Sequence, residues 1–502
     1  MKKGQIAVLV LACVAVFLVV YSPHFLYKYP LHMDEWNYMQ KAIEINQNDY
    51  GMRAFKFAFT LFLAFLDRTT DLVMIYQYLP AIWAALTVLV LFYASYKKTN
   101  KNFLIALFAM IFYASLKSNV NIGGIWFFIP SVFTYLFIYA YVYFFTEGFE
   151  RQDKKLILIS LGIMLITLFS HPSGLLFAIP FLSVYALFFN WNYIKKEWKF
   201  FSLFLIIPIV GFLFFASIFL AKLSLSQIVV KLFETLGFDY GRMPVELYNS
   251  PFEAYSAMGY LLALFGIFSV FRYDYSNRKK YYAYILWPVW GLLSMIGYRL
   301  FDVSLFASYQ RTFLFAAISL PFLSAIGLFY LLKLKNDYLR RTRFWKYDNI
   351  RKVLGILIIV IVLVFTFYSY YDLPSRIKLY KVIDDDTYNA MVFLASQPKG
   401  IVMARPVASI ALYPITHMKP VGTVYFMGDI KKRLSEAFFL ADNCKQRNVL
   451  LKERNVSYVL SPDKINCDWQ VIYDEGDYVY NVSEIGLSKG IKKAAGNGTD
   501  IN

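Results

Sequence analysis

Residues 5–21 of this 502-residue chain read QIAVLVLACVAVFLVVY, and all but the first of them are apolar. A helix of about 20 such residues crosses the roughly 30 Å of hydrocarbon in a bilayer. Two lysines precede the run, as in a signal peptide, but the residues YSPH at 21–24 offer no small-residue cleavage site after it. We therefore expect residues 5–21 to stay in the protein as its first membrane span.

Apolar runs of similar length recur along most of the chain. The composition agrees with membrane spans, because 59% of the residues are hydrophobic and only 17% are charged, whereas a soluble domain has about a quarter charged. The expected fold class is mainly α, a polytopic transmembrane helical bundle. The runs predict about eleven spans, near residues 5–21, 73–96, 102–116, 126–145, 156–170, 174–189, 200–221, 254–271, 281–298, 312–332 and 353–371.

The formal net charge of +18 follows from where the lysines and arginines lie. They concentrate in segments such as 97–101, 151–155, 195–199 and 333–352, which lie on the cytoplasmic side if the N-terminus does. This is the positive-inside pattern of membrane proteins. We therefore expect a multi-pass protein of the cell membrane with a cytoplasmic N-terminus, and the charge indicates the lipid bilayer rather than nucleic acid as the partner.

The composition changes after residue 371 to that of a soluble domain. The sequence thus predicts a transmembrane domain at 1–371, a small extracytoplasmic α/β domain at 372–487 and a disordered tail at 488–502. For the α/β domain it predicts helices at 384–397 and 431–454, the second broken near residue 443, strands at 400–404 and 456–461, and a closing hairpin from 469–474 and 478–482.

Two of the three cysteines, Cys444 and Cys467, fall in the predicted α/β domain, whereas Cys13 lies in the first span. Cysteines in an oxidising compartment can pair. Pairing requires a short Cα separation that the sequence does not give. A disulfide and two free thiols are therefore equal alternatives.

The stretch PLHMDEWNYMQKA at residues 30–42 carries two adjacent carboxylates, Asp34 and Glu35, shortly beyond the first span. Such a pair can serve as a general base and as a ligand for a divalent cation such as Mg²⁺ or Mn²⁺. Acidic residues in the first turn of a helix are, alternatively, favoured by the helix dipole without any chemical role. The spacing leaves both explanations open.

One span, then an Asp-Glu pair followed by Trp36, then many spans and a C-terminal outside domain resembles the GT-C membrane glycosyltransferases. The nearest likeness is to the branch with protein O-mannosyltransferases and the bacterial aminoarabinose transferase, and residues 450–460 resemble the end of the outside domain in archaeal members. The resemblance implies transfer of a monosaccharide, with inversion, from a polyprenyl (dolichyl) phosphate to a protein, lipid or glycan acceptor on the extracytoplasmic face. It implies that Asp34 deprotonates the acceptor and that Glu35 positions it or binds the cation.

The stretch SYQRTF at 308–313 places Arg311 at the outer end of a span, as in many relatives of that family. A guanidinium there can hold the phosphate of a lipid carrier, although an anchor to lipid headgroups is the alternative. Arg299 is the second candidate for the donor phosphate. His171, His32 and Arg242 are candidate substrate contacts, with simple solvation as the ordinary explanation for a histidine in a turn.

Other functions remain alternatives at this point. The chain has no Trp-Trp-Asp-Tyr-Gly motif of oligosaccharyltransferase catalytic subunits, no P-loop and no Rossmann glycine pattern, which disfavours en bloc transfer and a nucleotide-sugar donor. A transporter or flippase of lipid-linked glycans would place charged residues within the spans. A surface-polysaccharide polymerase or ligase would call for more basic residues in the outer loops.

Overall fold

The computed structural model describes residues 2–47, 57–119, 123–203, 206, 210, 250–301, 307, 309–340, 348–368, 381–422 and 430–487. These residues are mostly helical, with one small C-terminal sheet, as the sequence predicts. From the N-terminus the helices are α1 (Lys3–Tyr21), α2 (Met33–Asn46), α3 (Phe57–Asp67), α4 (Leu72–Tyr76), α5 (Leu79–Lys98), α6 (Phe103–Ala114), α7 (Pro130–Arg151), α8 (Lys154–Ser170), α9 (Pro172–Lys196), α10 (Ala257–Tyr273), α11 (Tyr282–Phe301), α12 (Tyr309–Ala317), α13 (Leu320–Arg340), α14 (Asp348–Phe367), α15 (Asp385–Ala395), α16 (Ser409–Thr416), α17 (Ile430–Leu440), α18 (Cys444–Glu453) and α19 (Ser483–Leu487).

The predicted spans within the described residues fall on helices. The span predicted at 73–96 is divided into α4 and α5, and α5 opens with a proline, which fits the first turn of a helix. Most of the span predicted at 200–221 lies outside the described residues. Five helical segments of the described residues are long and apolar enough to cross a membrane, while the count of about eleven spans stays a prediction: Lys3–Phe25, Leu79–Lys98, Pro130–Arg151, Pro172–Lys196 and Tyr309–Leu334.

The chain divides into two compact units, and the division does not follow the order of the sequence. The sequence assigns the loop after the first span to the transmembrane domain, whereas the structure packs α2 in the same unit as the C-terminal sheet. The tail predicted at 488–502 lies outside the described residues. The first unit comprises Met1–Leu26, Tyr50–Phe62 and Tyr76–Arg376, and the second Tyr27–Asp49, Leu63–Ile75 and Ile377–Asn502.

In the first unit α10 and α13 cross at close range. A Cβ atom on Gly266 would overlap the backbone carbonyl oxygen of Leu323, and one on Gly327 would overlap the carbonyl oxygen of Leu262. Small residues at such crossings let helix backbones approach each other in membrane proteins. The two glycines therefore set the separation of α10 and α13.

A buried ion-pair network ties the end of α5 to the end of α7. The Lys98 ammonium lies 3.0 Å from a Glu147 carboxylate oxygen and 2.8 Å from one of Glu150, and only 1% of the Lys98 side chain is exposed. Arg151 is a second partner of Glu147, and the Tyr185 hydroxyl of α9 donates to Glu150. Charges this deeply buried are tolerated because they are paired.

The second unit contains a five-stranded sheet of β1 (Ile401–Met403), β2 (Lys419–Pro420), β3 (Tyr458–Ser461), β4 (Gln470–Tyr473) and β5 (Tyr478–Asn481) in the order β2-β1-β3-β5-β4. β1 pairs in parallel with β2 and β3, whereas β3 and β4 pair with β5 in antiparallel fashion. The predicted strands, the hairpin and the helices on either side of residue 443 are confirmed.

The core of the second unit lies under α17 and α18, where Phe438, Val459 and Tyr480 are fully or almost fully buried. Asn443 caps α18 by accepting a hydrogen bond from the backbone N–H of Gln446. Cys444 and Cys467 form a disulfide with a Cα separation of 5.7 Å. Of the two alternatives that the sequence leaves open, the structure therefore has the disulfide.

We expect Lys98→Met to lower the free energy of unfolding by about 3 kcal/mol, because Glu150 would lose its ion-pair partner while Glu147 would keep Arg151. The matched control is Lys97→Met, which removes the same group from an exposed neighbouring position. Thermal unfolding of the purified variants measures both. Equal melting temperatures for the two variants would contradict the account of this network.

Candidate functional site

The start of α2 is fixed by a reciprocal cap. The Nδ1 atom of His32 accepts a hydrogen bond from the backbone N–H of Asp34 at 3.1 Å. A carboxylate oxygen of Glu35 accepts from the backbone N–H of His32 at 2.8 Å. This is a capping box with histidine in the place of the usual serine or threonine, and it holds Asp34 in the first turn of the helix.

The two neighbouring carboxylates differ in access to solvent. Glu35 is 1% exposed, whereas 32% of the Asp34 side chain is exposed. The helix-cap explanation accounts for the hydrogen bond of Glu35 to His32, so its role toward an acceptor or a cation stays a prediction. Asp34 is the member of the pair whose carboxylate a substrate can reach.

Lys41 shares a face of α2 with Asp34, because residues spaced by four and seven positions lie on one side of a helix. Its ammonium lies 4.7 Å from the centre of the Tyr38 ring. Burial lowers the pKa of Lys41, while the negative charges of Asp34 and Glu44 act to raise it. This face of α2 therefore carries the Asp34 carboxylate, the Tyr38 phenol and the partly desolvated Lys41 amine. The Asp-Glu motif by itself does not predict this combination.

The chain just before α2 is attached to the start of α15. The Tyr27 hydroxyl donates to the backbone carbonyl of Ile383 at 2.8 Å, and the Tyr29 hydroxyl donates to the Asp385 carboxylate at 2.8 Å. Lys28 forms an ion pair with Asp385 at 2.9 Å, and the Lys28 and Tyr29 hydrogen bonds lower the pKa of Asp385. These contacts within the second unit hold the segment that leads to Asp34.

In the first unit both candidate arginines are connected to the start of α12, Arg299 by a hydrogen bond to it and Arg311 as one of its residues. The Arg299 Nε donates a hydrogen bond to the Tyr309 hydroxyl, and the Tyr309 ring stacks on Tyr298 at 4.4 Å between centroids. Arg311 follows two residues later, and one of its terminal nitrogens lies 3.0 Å from the point where a Cβ on Gly123 would be. A side chain at residue 123 would displace the Arg311 guanidinium.

Tyr135 is a residue near Arg311 that the sequence does not single out. It is completely buried and close enough to Arg311 to feel its charge. Its hydroxyl has no hydrogen-bond partner among the described residues, and an unpaired buried hydroxyl is unfavourable unless a ligand or water satisfies it. Only its place on the apolar helix α7, next to an arginine of another helix, distinguishes it from the many tyrosines of this chain.

His171 is buried rather than solvated, which corrects the ordinary expectation for a histidine in a turn. It is 4% exposed, because Pro172 begins α9 directly after it and its ring packs 6.0 Å from that of Phe315. Its Nδ1 atom lies 3.0 Å from the Ser173 hydroxyl. Phe315 is one helical turn beyond Arg311, so His171 lies against the helix that carries Arg311.

The described residues therefore bring the predicted site residues together in two groups. His32, Asp34 and Glu35 meet in the second unit, whereas in the first unit Arg299 and His171 each contact α12, the helix that carries Arg311. Arg242 lies outside the described residues. Within the part of the chain that the structure describes, no three His, Cys, Asp or Glu side chains form a group that could hold a metal ion.

No protein-family model matches this chain, and no curated protein does so. Solved structures do match. The apo oligosaccharyltransferase of Archaeoglobus fulgidus aligns with a TM-score of 0.59 at 11% identity, over 92% of this chain and 70% of that one. The same enzyme in complex with an inhibitory peptide and a dolichol-phosphate gives 0.58 at 12% identity, over 92% and 69%.

ArnT from Cupriavidus metallidurans bound to undecaprenyl phosphate matches with a TM-score of 0.56 at 10% identity, over 97% of this chain and 99% of that one. Likenesses at such low identity show the fold. The chain shares the fold of the A. fulgidus oligosaccharyltransferase and of ArnT, and this is the fold that the resemblance of its sequence implies.

We expect His32→Ala to loosen the first turn of α2, since loss of a helix N-cap costs about 1 kcal/mol. Hydrogen exchange of the backbone amides of residues 33–36 should become about fivefold faster. His32→Asn, which keeps a capping acceptor, should exchange at nearly the wild-type rate. Equal exchange in His32→Ala and wild-type protein would show that the histidine does not cap the helix.

Proposed function

We propose that this protein is an integral-membrane glycosyltransferase that moves a monosaccharide from a polyprenyl (dolichyl) phosphate to a hydroxyl-bearing acceptor on the extracytoplasmic face. The main support is the fold shared with ArnT over nearly the whole of both chains. The partly exposed carboxylate of Asp34 in the capped first turn of α2 adds to it. The N-terminus would then lie in the cytoplasm and the second unit outside.

In the proposed reaction Asp34 acts as the general base. It takes the proton of the acceptor hydroxyl while that oxygen attacks the anomeric carbon of the donor sugar. The bond from the anomeric carbon to the phosphate oxygen breaks, and the lipid phosphate leaves with the electron pair. One displacement of this kind inverts the anomeric configuration.

Arg311 and Arg299 are proposed to bind the phosphate of the donor. A guanidinium makes charge-assisted hydrogen bonds that strengthen as negative charge builds on the leaving phosphate. The hydrogen bond of Arg299 to Tyr309 fixes one guanidinium relative to the helix that carries the other. The unpaired Tyr135 hydroxyl is proposed as a further hydrogen-bond donor to the same phosphate. His171 is proposed as a substrate contact, because its ring packs against Phe315, one turn beyond Arg311 on α12.

His32 and Glu35 are proposed to act through the cap, by fixing the direction in which the Asp34 side chain points from the α2 axis. A divalent cation such as Mg²⁺ or Mn²⁺ would be held by Asp34, because Mg²⁺ commonly binds only one or two carboxylates of a protein, and it would offset negative charge on the leaving phosphate. The cap already uses one Glu35 oxygen, which makes Asp34 the better ligand of the two.

A monosaccharide is proposed as the transferred group for two reasons. The chain covers 99% of ArnT but only about 70% of the oligosaccharyltransferase. It also lacks the Trp-Trp-Asp-Tyr-Gly motif of oligosaccharyltransferase catalytic subunits.

Replacing Asp34 by Asn should lower the rate of sugar transfer by about 10²–10⁴, the usual contribution of a general base. The measurement is transfer from radiolabelled polyprenyl-phosphate sugars by protein reconstituted in liposomes. Glu44→Gln is the matched control, because it removes a carboxylate farther along the same helix and should leave the rate unchanged. Transfer by Asp34→Asn at the wild-type rate would remove Asp34 from the mechanism.

For Arg311→Gln we expect the KM for the donor to rise about tenfold or more, because one hydrogen bond to a charged group contributes about 1.5–3 kcal/mol. The KM for the acceptor should change little. Arg272→Gln, at the exposed end of α10, provides the control. Donor kinetics of Arg311→Gln that match those of the control would rule out the phosphate contact.

A further inference from the structure

The second unit contains a cavity of about 260 Å³ that the transfer mechanism does not use. It is formed by the segment before α15 and the start of that helix, the loop after β1, the end of β3 and the turn between β4 and β5. Its lining residues are Lys381, Val382, Ile383, Asp384, Thr387, Arg405, Val407, Ala408, Leu460, Pro462 and Asp477.

The cavity sits where an α/β sheet is built to bind a ligand. β1 and β3 are parallel neighbours, and the cavity residues Arg405 and Pro462 follow directly after their carboxyl ends. From β1 the chain continues to β2 on one side, whereas from β3 it continues to β4 and β5 on the other side. The crevice outside the carboxyl ends of two such strands is the usual binding place in open α/β sheets.

Both cations of the lining are already matched within the protein. Arg405 forms an ion pair with Asp463, and its guanidinium lies 5.9 Å from the centre of the Phe439 ring. The Lys381 ammonium lies 5.7 Å from the centre of the Tyr27 ring. Arg405 thus has a carboxylate partner and Lys381 an aromatic one.

The two carboxylates of the lining are matched as well. Asp384 caps α15 by accepting a hydrogen bond from the backbone N–H of Thr387 at 2.9 Å. Asp477 is 5% exposed. Burial raises its pKa, and a hydrogen bond from the Thr387 hydroxyl opposes that rise. The lining therefore holds two positive and two negative groups, each with a partner.

A ligand for such a lining has to be neutral and rich in groups that both donate and accept hydrogen bonds. An ionised ligand would meet an equal number of repelling and attracting charges. Sugar hydroxyls can donate to carboxylates and accept from a guanidinium, while the aliphatic side chains of Val407, Leu460 and Pro462 suit the C–H face of a pyranose. The cavity is smaller than the roughly 300–1,000 Å³ of sites for drug-sized ligands, which limits it to about one ring.

We propose that this cavity, whose lining includes none of the residues assigned to the transfer reaction, binds one neutral sugar residue of a glycan. The inference stands on the cavity and its lining, and it does not depend on Asp34 acting as the base. It gives the second unit a recognition role in addition to its hold on the segment before α2.

The test is ligand-observed saturation-transfer NMR on the full-length protein in lipid nanodiscs, which avoids the sugar headgroups of common detergents. The probes are the methyl glycosides of mannose, glucose and N-acetylglucosamine, with glycine as an ionised small molecule for comparison. We expect at least one glycoside to bind. Asp477→Asn should weaken that binding about tenfold, and Ala408→Phe, which fills the cavity, should abolish it.

Asp474→Asn is the matched control, because it removes an exposed carboxylate from the same β4–β5 turn and should leave binding unchanged. Asp34→Asn should also bind the glycoside normally, so that failure of the transfer mechanism and failure of the sugar site give different results. The proposal is overturned if no glycoside binds, if glycine binds instead, or if binding survives unchanged in both Asp477→Asn and Ala408→Phe with the backbone signals of a folded protein.

Discussion

The reciprocal cap between His32 and Glu35 is the interaction on which the account of this protein depends. It starts α2 at Met33 and holds the partly exposed Asp34 in the first turn beside the buried Glu35. The hydrogen bonds of Tyr27 and Tyr29 to the start of α15 hold the preceding chain in the same unit.

The features that the sequence predicted correctly are those with a local cause. The helix boundaries near Asn443 follow from an N-cap side chain, and the strands at Tyr458–Ser461 and Tyr478–Asn481 follow from runs of β-forming residues beside turns. Apolar length predicted the positions of the described membrane helices for the same reason, since a bilayer imposes one length on each span. The resemblance of the first loop to GT-C enzymes agreed with the fold of the solved structures.

The features that the sequence missed depend on residues far apart in the chain. Tyr27 bonds to Ile383 across 356 positions, and nothing in its neighbourhood indicates that the first loop belongs to the C-terminal unit. His171 is buried because the Phe315 ring of α12 packs against it. The β2 strand is only two residues long, which is too short to leave a pattern in the sequence. The cavity beside Asp477 could not be predicted either, because it arises where the ends of two parallel strands and a distant turn converge. For the candidate site, the sequence named Asp34, Arg299 and Arg311 as candidates. It did not predict the side chains that contact them.

The central claim is a direct displacement at the sugar with Asp34 as the base, and the stereochemistry of the product tests it most directly. The measurement is NMR of the anomeric centre of a product made by the reconstituted protein from a polyprenyl-phosphate sugar of known configuration. The account predicts an anomeric configuration opposite to that of the donor. Retention of the donor configuration would contradict it, because retention requires a second displacement or a covalent intermediate for which this mechanism has no place.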